Sequence, residues 1–122
     1  MKKKRILIAD DEKDVGILMA EALKIHGYEI DIVENGVEAI SHINRKPYDL
    51  IITDYVMPEM DGIELTRKIK SKNPSTPVII VTGNGPIRDI LKSGATACIT
   101  KPFDIFELQN TVKIILNRKA IL

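Results

Sequence analysis

Tryptophan is absent from this 122-residue chain, cysteine occurs once, and aromatic residues of all kinds make up 4% of it. The single thiol, Cys98, excludes an internal disulfide and a multi-cysteine metal site, and reads most simply as a small buried apolar side chain. Charge of one sign is also missing: 18 basic residues against 17 acidic ones leave +1, so no net field favours nucleic acid or an acidic membrane surface. The one local bias, Lys2 to Arg5, reads as a solvated lead into a strand. Long apolar runs are absent as well. The run after those lysines covers only Ile6 to Ala9 before Asp10 interrupts it, too little for a secretory signal, and the expectation is a cytoplasmic protein. No internal repeat, low-complexity segment or linker divides the chain, so residues 1–122 are expected to form a single domain. A domain of that size buries roughly two-thirds of the surface its unfolded chain exposes.

What is present is an alternation of short apolar runs with amphipathic stretches. Ile6 to Ala9 reads as a strand, followed by Val15, Leu18, Met19, Ala22 and Leu23 at helical spacing, with Gly27 as a stop. Tyr28 to Val33 alternates, with Ile30 and Ile32 on one face and Glu29 and Asp31 on the other, as an edge strand does. Asn35 is placed to cap a helix carrying Val37, Ile40 and Ile43. Leu50 to Ile52 is too short for a helix and suits a strand buried on both faces; Pro58 and Gly62 then turn the chain into a helix carrying Leu65 and Ile69. Val78 to Val81 is a fourth strand. Beyond Gly83, Gly85 and Pro86, a helix of about two turns on Ile87, Ile90 and Leu91 closes at Gly94. Ala97 to Ile99 is a weaker fifth strand. Asp104 and Glu107 form a capping-box-like pair before a last helix with Leu108, Val112 and Ile115 on one face, and Ile121 and Leu122 leave an apolar end. Five strands interleaved with five helices predict an α/β fold: a doubly wound five-stranded parallel sheet with helices on both faces and a short fourth helix.

In a parallel sheet every strand ends on the same edge, where open α/β folds bind ligands. That edge would gather Asp10 and Asp11 after the first strand, Asp54 after the third, Thr82 after the fourth and Lys101 after the fifth. Singly, each has a bland reading: Asp11 as a helix cap, Thr82 as a polar strand terminus, Lys101 as a solvated cation. Together they describe a site. Three carboxylates brought close repel, and either protonation of one or binding of a cation relieves the repulsion. Oxygen ligands with room for water suit Mg2+, which commonly bridges to a phosphate. With Lys101 and Thr82 it would neutralise a phosphoryl group in transfer, leaving a carboxylate to act as nucleophile, and Asp54 on the central strand is the best placed.

These residues carry a resemblance. The acidic pair Asp10 and Asp11, Asp54 followed by Met57, Pro58 and the Met60 to Gly62 turn, Thr82, and the triplet Lys101, Pro102, Phe103 resemble the receiver domain of two-component response regulators over essentially the whole chain. The resemblance implies the flavodoxin-like strand order 2-1-3-4-5. It implies phosphorylation of Asp54 and Mg2+ held by Asp10, Asp11, Asp54 and the backbone carbonyl of Val56. It further implies phosphoryl contacts from Thr82 and Lys101, and a cis bond between Lys101 and Pro102. The phosphodonor would be a phosphohistidine on a partner histidine kinase or phosphotransfer protein, with self-catalysed phosphorylation and dephosphorylation and no other turnover. A phosphorylation-dependent dimer and an output partner are compatible with it, while no DNA-binding segment lies within these residues. Two positions depart from the family pattern. Cys98 stands where many receivers carry an aromatic on the fifth strand, so the usual aromatic rotamer switch is not carried over. The interval from Thr82 to Gly94 is about one helical turn short, which alters the face of the fourth helix, fifth strand and fifth helix, the usual output surface.

His26 at a helix end and His42 within the second helix read as surface residues away from Asp54. Two other functions use similar parts. A Mg2+-dependent phosphohydrolase of the haloacid dehalogenase type also attacks with an Asp at a strand end, but it needs a second acid where this chain has Val56. A receiver-like module that binds a partner without phosphorylation would have little reason to retain costly buried like charges.

Overall fold

In the computed structural model, which describes residues 2–121 and the side chains of residues 2–118, strands and helices alternate from end to end. The order is β1 (Arg5–Ala9), α1 (Lys13–Lys24), β2 (Glu29–Val33), α2 (Gly36–Arg45), β3 (Leu50–Asp54), α3 (Gly62–Lys72), β4 (Val78–Thr82), α4 (Ile87–Lys92), β5 (Ala97–Thr100) and α5 (Ile105–Ile121). The strands pair in parallel in the order β2-β1-β3-β4-β5, as expected. The apolar side chains of Ile121 and Leu122 lie outside the described residues.

The period of two along each strand divides the core into two layers. Ile6, Ile8, Leu50, Ile52, Ile79 and Val81 face one side, where Met19, Ala20 and Leu23 of α1 and Leu108, Val112 and Leu116 of α5 cover them. Leu7, Ala9, Ile51, Val78 and Ile80 face the other, against Ala39 of α2, Leu65 and Ile69 of α3, and Ile90 of α4. Strands β3 and β4 are buried at all five positions, which is why they read as unbroken apolar runs rather than alternating ones. Each fully buried Leu or Ile contributes about 1.5–3 kcal/mol relative to exposure. Gln109 on α5 donates to the carbonyl of Ala22 (2.8 Å), locking the two helices of the first layer together.

The ends of the helices follow the expected chemistry. Gly27 adopts φ +87° and its N–H meets the carbonyl of Lys24, closing α1; Gly94, at φ +105°, ends α4. Asn35 caps α2 by accepting from the N–H of Glu38 at 2.8 Å. Asp104 caps α5 through the N–H of Phe106 (2.7 Å), two residues on, rather than at the Glu107 position a capping box uses.

Four residues on the expected apolar faces are exposed instead. Leu18 is 48% exposed, because α1 buries the stripe Gly16, Met19, Ala20 and Leu23 and Leu18 falls beside it. Val37 is exposed, since α2 reaches the core through Gly36 and Ala39. Of the three apolar residues on the six-residue α4, only Ile90 is buried; so short a helix turns a single position fully inward. Strand β2 does lie at one edge of the sheet and β5 at the other.

Candidate functional site

All five strands end on one rim, and the polar residues at those ends close around a cleft of about 450 Å³ lined by Asp11, Glu12, Asp54, Thr82, Gly85 and Lys101 among others. Asp54 is the last residue of β3 and is 5% exposed; Thr82 is the last of β4 and 3% exposed. The Lys101 ammonium lies 3.0 Å from Oδ1 of Asp54 and 3.6 Å from Oε1 of Glu12. Lys101 follows β5, and its N–H bonds the carbonyl of Thr82 at 2.7 Å, carrying the β4–β5 ladder one step beyond Thr100. The bond between Lys101 and Pro102 is cis.

Asp10 sits just past β1 and is 1% exposed. Its Oδ1 accepts from the N–H of Glu12 (2.8 Å), and its Oδ2 is buried with no hydrogen-bond partner among the described residues. An unpartnered carboxylate oxygen at this depth is costly unless a proton or a cation satisfies it. Burial, reinforced by the charge of Asp54, pushes the Asp10 carboxyl from its ordinary 3.8 up to about 6, although the Glu12 N–H bond opposes it. Burial also raises Asp54, against the pull of the Lys101 hydrogen bond and charge, with Asp11 adding repulsion. Burial alone would lower Lys101, but the Asp54 hydrogen bond and the charges of Asp54, Asp10 and Glu12 outweigh it and hold the ammonium above its ordinary value.

One carboxylate oxygen each from Asp10, Glu12 and Asp54 lie within 4.8 Å of one another, a spacing that one divalent ion can bridge. Asp11 is exposed on the same cleft and acts on Asp54 through its charge. Three carboxyl groups, those of Asp54, Asp10 and Glu12, therefore act on one ammonium with Asp11 on the same cleft, and oxygen-only donors beside an orphaned buried oxygen fit a hard cation such as Mg2+. Glu12 was not singled out in the sequence, where it is one charged residue among several before α1. Its only signal there is its position, two residues past Asp10 in the turn leaving the first strand.

The loop leaving Asp54 is held in a fixed path. Val56 is 68% exposed and lines the cleft. Glu59 adopts φ +69°, with the N–H of Met60 bonded to the carbonyl of Pro58, a tight turn that side chains rarely enter. At its end a Cβ on Gly62 would lie 2.7 Å from the carbonyl oxygen of Asp54, so only glycine lets α3 start this close to the strand. Across the cleft, the Thr82 hydroxyl accepts from the N–H of Gly85 at 2.7 Å, which ties it to the β4–α4 loop. Cys98 is half-buried beside the second core layer, and burial raises its thiol pKa. His26 is exposed and His42 contacts the carbonyl of Glu38, both outside this cluster.

The family model described as response regulator receiver domain matches residues 6–113. Sporulation initiation phosphotransferase F of Bacillus subtilis is 35% identical over 123 residues, an alignment that covers 98% of this chain and 99% of that protein. The sensor protein EvgS of Escherichia coli is 39% identical over 106 residues, 84% of this chain, but the chain spans only 9% of that protein's length. Among solved structures, the receiver domain of the Francisella response regulator 1452 superposes with a TM-score of 0.90 at 34% identity, covering 96% of this chain and 99% of that one.

Proposed function

Because the chain belongs to the response regulator receiver domain family of two-component systems, we propose that Asp54 is its phosphoacceptor and that the β-strand rim is built to load it. The observation that carries this reading is the convergence of Lys101, 3.0 Å from Asp54, with the buried Thr82 on one open cleft and with the buried Asp10 beside Asp54.

In this reading a carboxylate oxygen of Asp54 attacks the phosphorus of a phosphohistidine. The P–N bond breaks, the imidazole leaves with its electron pair and takes up a proton, and an acyl phosphate forms. Asp10, Asp11, Asp54 and the Val56 carbonyl would hold Mg2+, which when bound supplies charge neutralisation for the phosphoryl oxygens. Lys101 already lies 3.0 Å from one carboxylate oxygen of Asp54 and can follow negative charge onto the phosphoryl group. The Thr82 hydroxyl, now an acceptor from Gly85, has its own proton free to donate to a phosphoryl oxygen. Val56 stands where a hydrolase would place a second acid, which supports stoichiometric acceptance over turnover.

Residues 1–122 would then act as one receiver unit in the cytoplasm. A histidine kinase or phosphotransfer protein would donate the phosphoryl group, and the added charge would change affinity for an output partner. No helix among the described residues is long and apolar enough to cross a membrane. Intact-mass spectrometry after incubation with acetyl phosphate tests the chemistry. One added phosphate is expected with Mg2+ and none with EDTA or in Asp54→Asn; equal labelling of Asp54→Asn would overturn the assignment.

A further inference from the structure

We propose that Glu12 is a further carboxylate of the divalent-cation site, exchanging its partner from the Lys101 ammonium to the cation or its bound water when the ion enters. The inference rests on the cation reading of the cleft and adds to it a residue outside the Asp10, Asp11, Asp54 and Val56 set.

Glu12 stands at the N-cap position of α1, yet its side chain makes no capping hydrogen bond. The carboxylate is therefore not committed to the helix. Its Oε1 is instead 3.6 Å from the ammonium of Lys101, and a carboxylate oxygen of Glu12 is within 4.8 Å of oxygens from both Asp10 and Asp54. The backbone of the same residue holds Oδ1 of Asp10 at 2.8 Å. That leaves Oδ2 of Asp10, in a side chain 1% exposed, as the buried oxygen without a partner. One residue thus sets the orientation of the buried ligand and brings a second carboxylate alongside it.

In the present arrangement Lys101 is the only cation paired with these carboxylates among the described residues, and it is shared between Asp54 and Glu12. A divalent ion beside Asp10 and Asp54 offers Glu12 a stronger charge than the ammonium does, and the side chain is exposed enough to move to it. Lys101 would then keep Asp54 alone, free to turn toward an arriving phosphoryl oxygen. Glu12 in this role is a positioning residue for Lys101 and a ligand, direct or through water, for the ion.

The test is calorimetric titration of the phosphate-free protein with Mg2+ and, separately, Mn2+, which reads the site without any phosphoryl transfer. Glu12→Gln removes the charge and keeps the shape. Asp14→Asn removes the same charge from the exposed first turn of α1, outside the cluster. Glu12→Gln is expected to weaken cation binding about tenfold, the scale on which outer-shell partners act, with Asp14→Asn changing it less than about twofold. Equal effects in the two variants, or no effect in either, would reduce Glu12 to a surface ion pair and overturn the proposal. Failure of the wild-type protein to bind either ion would instead remove the cation reading on which the proposal stands.

Discussion

Asp10 is a buried acid held in its charged form at a cost, and neutralising it should make the metal-free protein more stable. A carboxyl whose pKa rises from 3.8 to about 6 on folding binds its proton more tightly in the folded state than in the unfolded one. Stability is therefore greatest below pH 3.8 as far as this group is concerned. It falls as pH rises through the window from 3.8 to about 6, and the full penalty remains above that. About two pH units at about 1.4 kcal/mol each give roughly 3 kcal/mol as the upper figure. Asp10→Asn retains an oxygen to accept from the N–H of Glu12 and removes the charge. The variant should gain about 1–3 kcal/mol at pH 7.5 in EDTA, a rise of roughly 5–10 °C in Tm for a domain of this length. Wild type should also gain stability on saturation with Mg2+, by about 2.7 kcal/mol at a hundredfold excess over Kd, and the variant much less. Urea and thermal denaturation followed by circular dichroism at pH 5 and pH 7.5, each with EDTA or Mg2+, measure all of these quantities. A metal-free Asp10→Asn that is less stable than wild type at pH 7.5 would refute the account of the buried charge.

Two further outcomes follow from contacts outside the acidic cluster. Tyr48 donates to Oδ2 of Asp31 at 2.6 Å, tying the start of β3 to the edge strand β2, so Tyr48→Phe should cost about 1–2 kcal/mol in urea denaturation while leaving phosphorylation unchanged. A Cβ at position 85 would lie 2.5 Å from Oγ1 of Thr82 and 3.1 Å from side chains of Ile90 and Tyr55, so Gly85→Ala must shift the hydroxyl. Acetyl phosphate labelling should slow at least threefold with the fold intact by circular dichroism; an unchanged rate would show that the Thr82 position is not limiting.

The alternation of strand and helix was legible in the sequence because Ile51, Ile52, Val78 to Val81 and, on α1, Met19, Ala22 and Leu23 announce their burial through type and spacing. Strand order came from the family resemblance, since nothing in Ile6 to Ala9 says that it lies between β2 and β3. The polar rim was legible for a topological reason: once the sheet is parallel, Asp10, Asp54, Thr82 and Lys101 must share an edge. Glu12 was not, because a glutamate before a helix is ordinarily part of a solvated first turn, and two of the groups it approaches, Asp54 and Lys101, are 42 and 89 positions away in sequence. The exposure of Leu18 and Leu91 was hidden for the opposite reason. An apolar residue near a buried stripe satisfies the helical pattern whether or not the neighbouring helix reaches it.

The hydrogen bond from Lys101 to the carbonyl of Thr82 makes two groups on different strands mechanically one. Strand β5 has a single neighbour, whereas β4, which ends in Thr82, is paired on both sides, so Lys101 is joined to the sheet only by way of that interior strand. The phosphoryl-facing hydroxyl and ammonium thus hang from two backbones joined by one hydrogen bond, so a backbone shift at Thr82 cannot leave Lys101 where it is without breaking that bond.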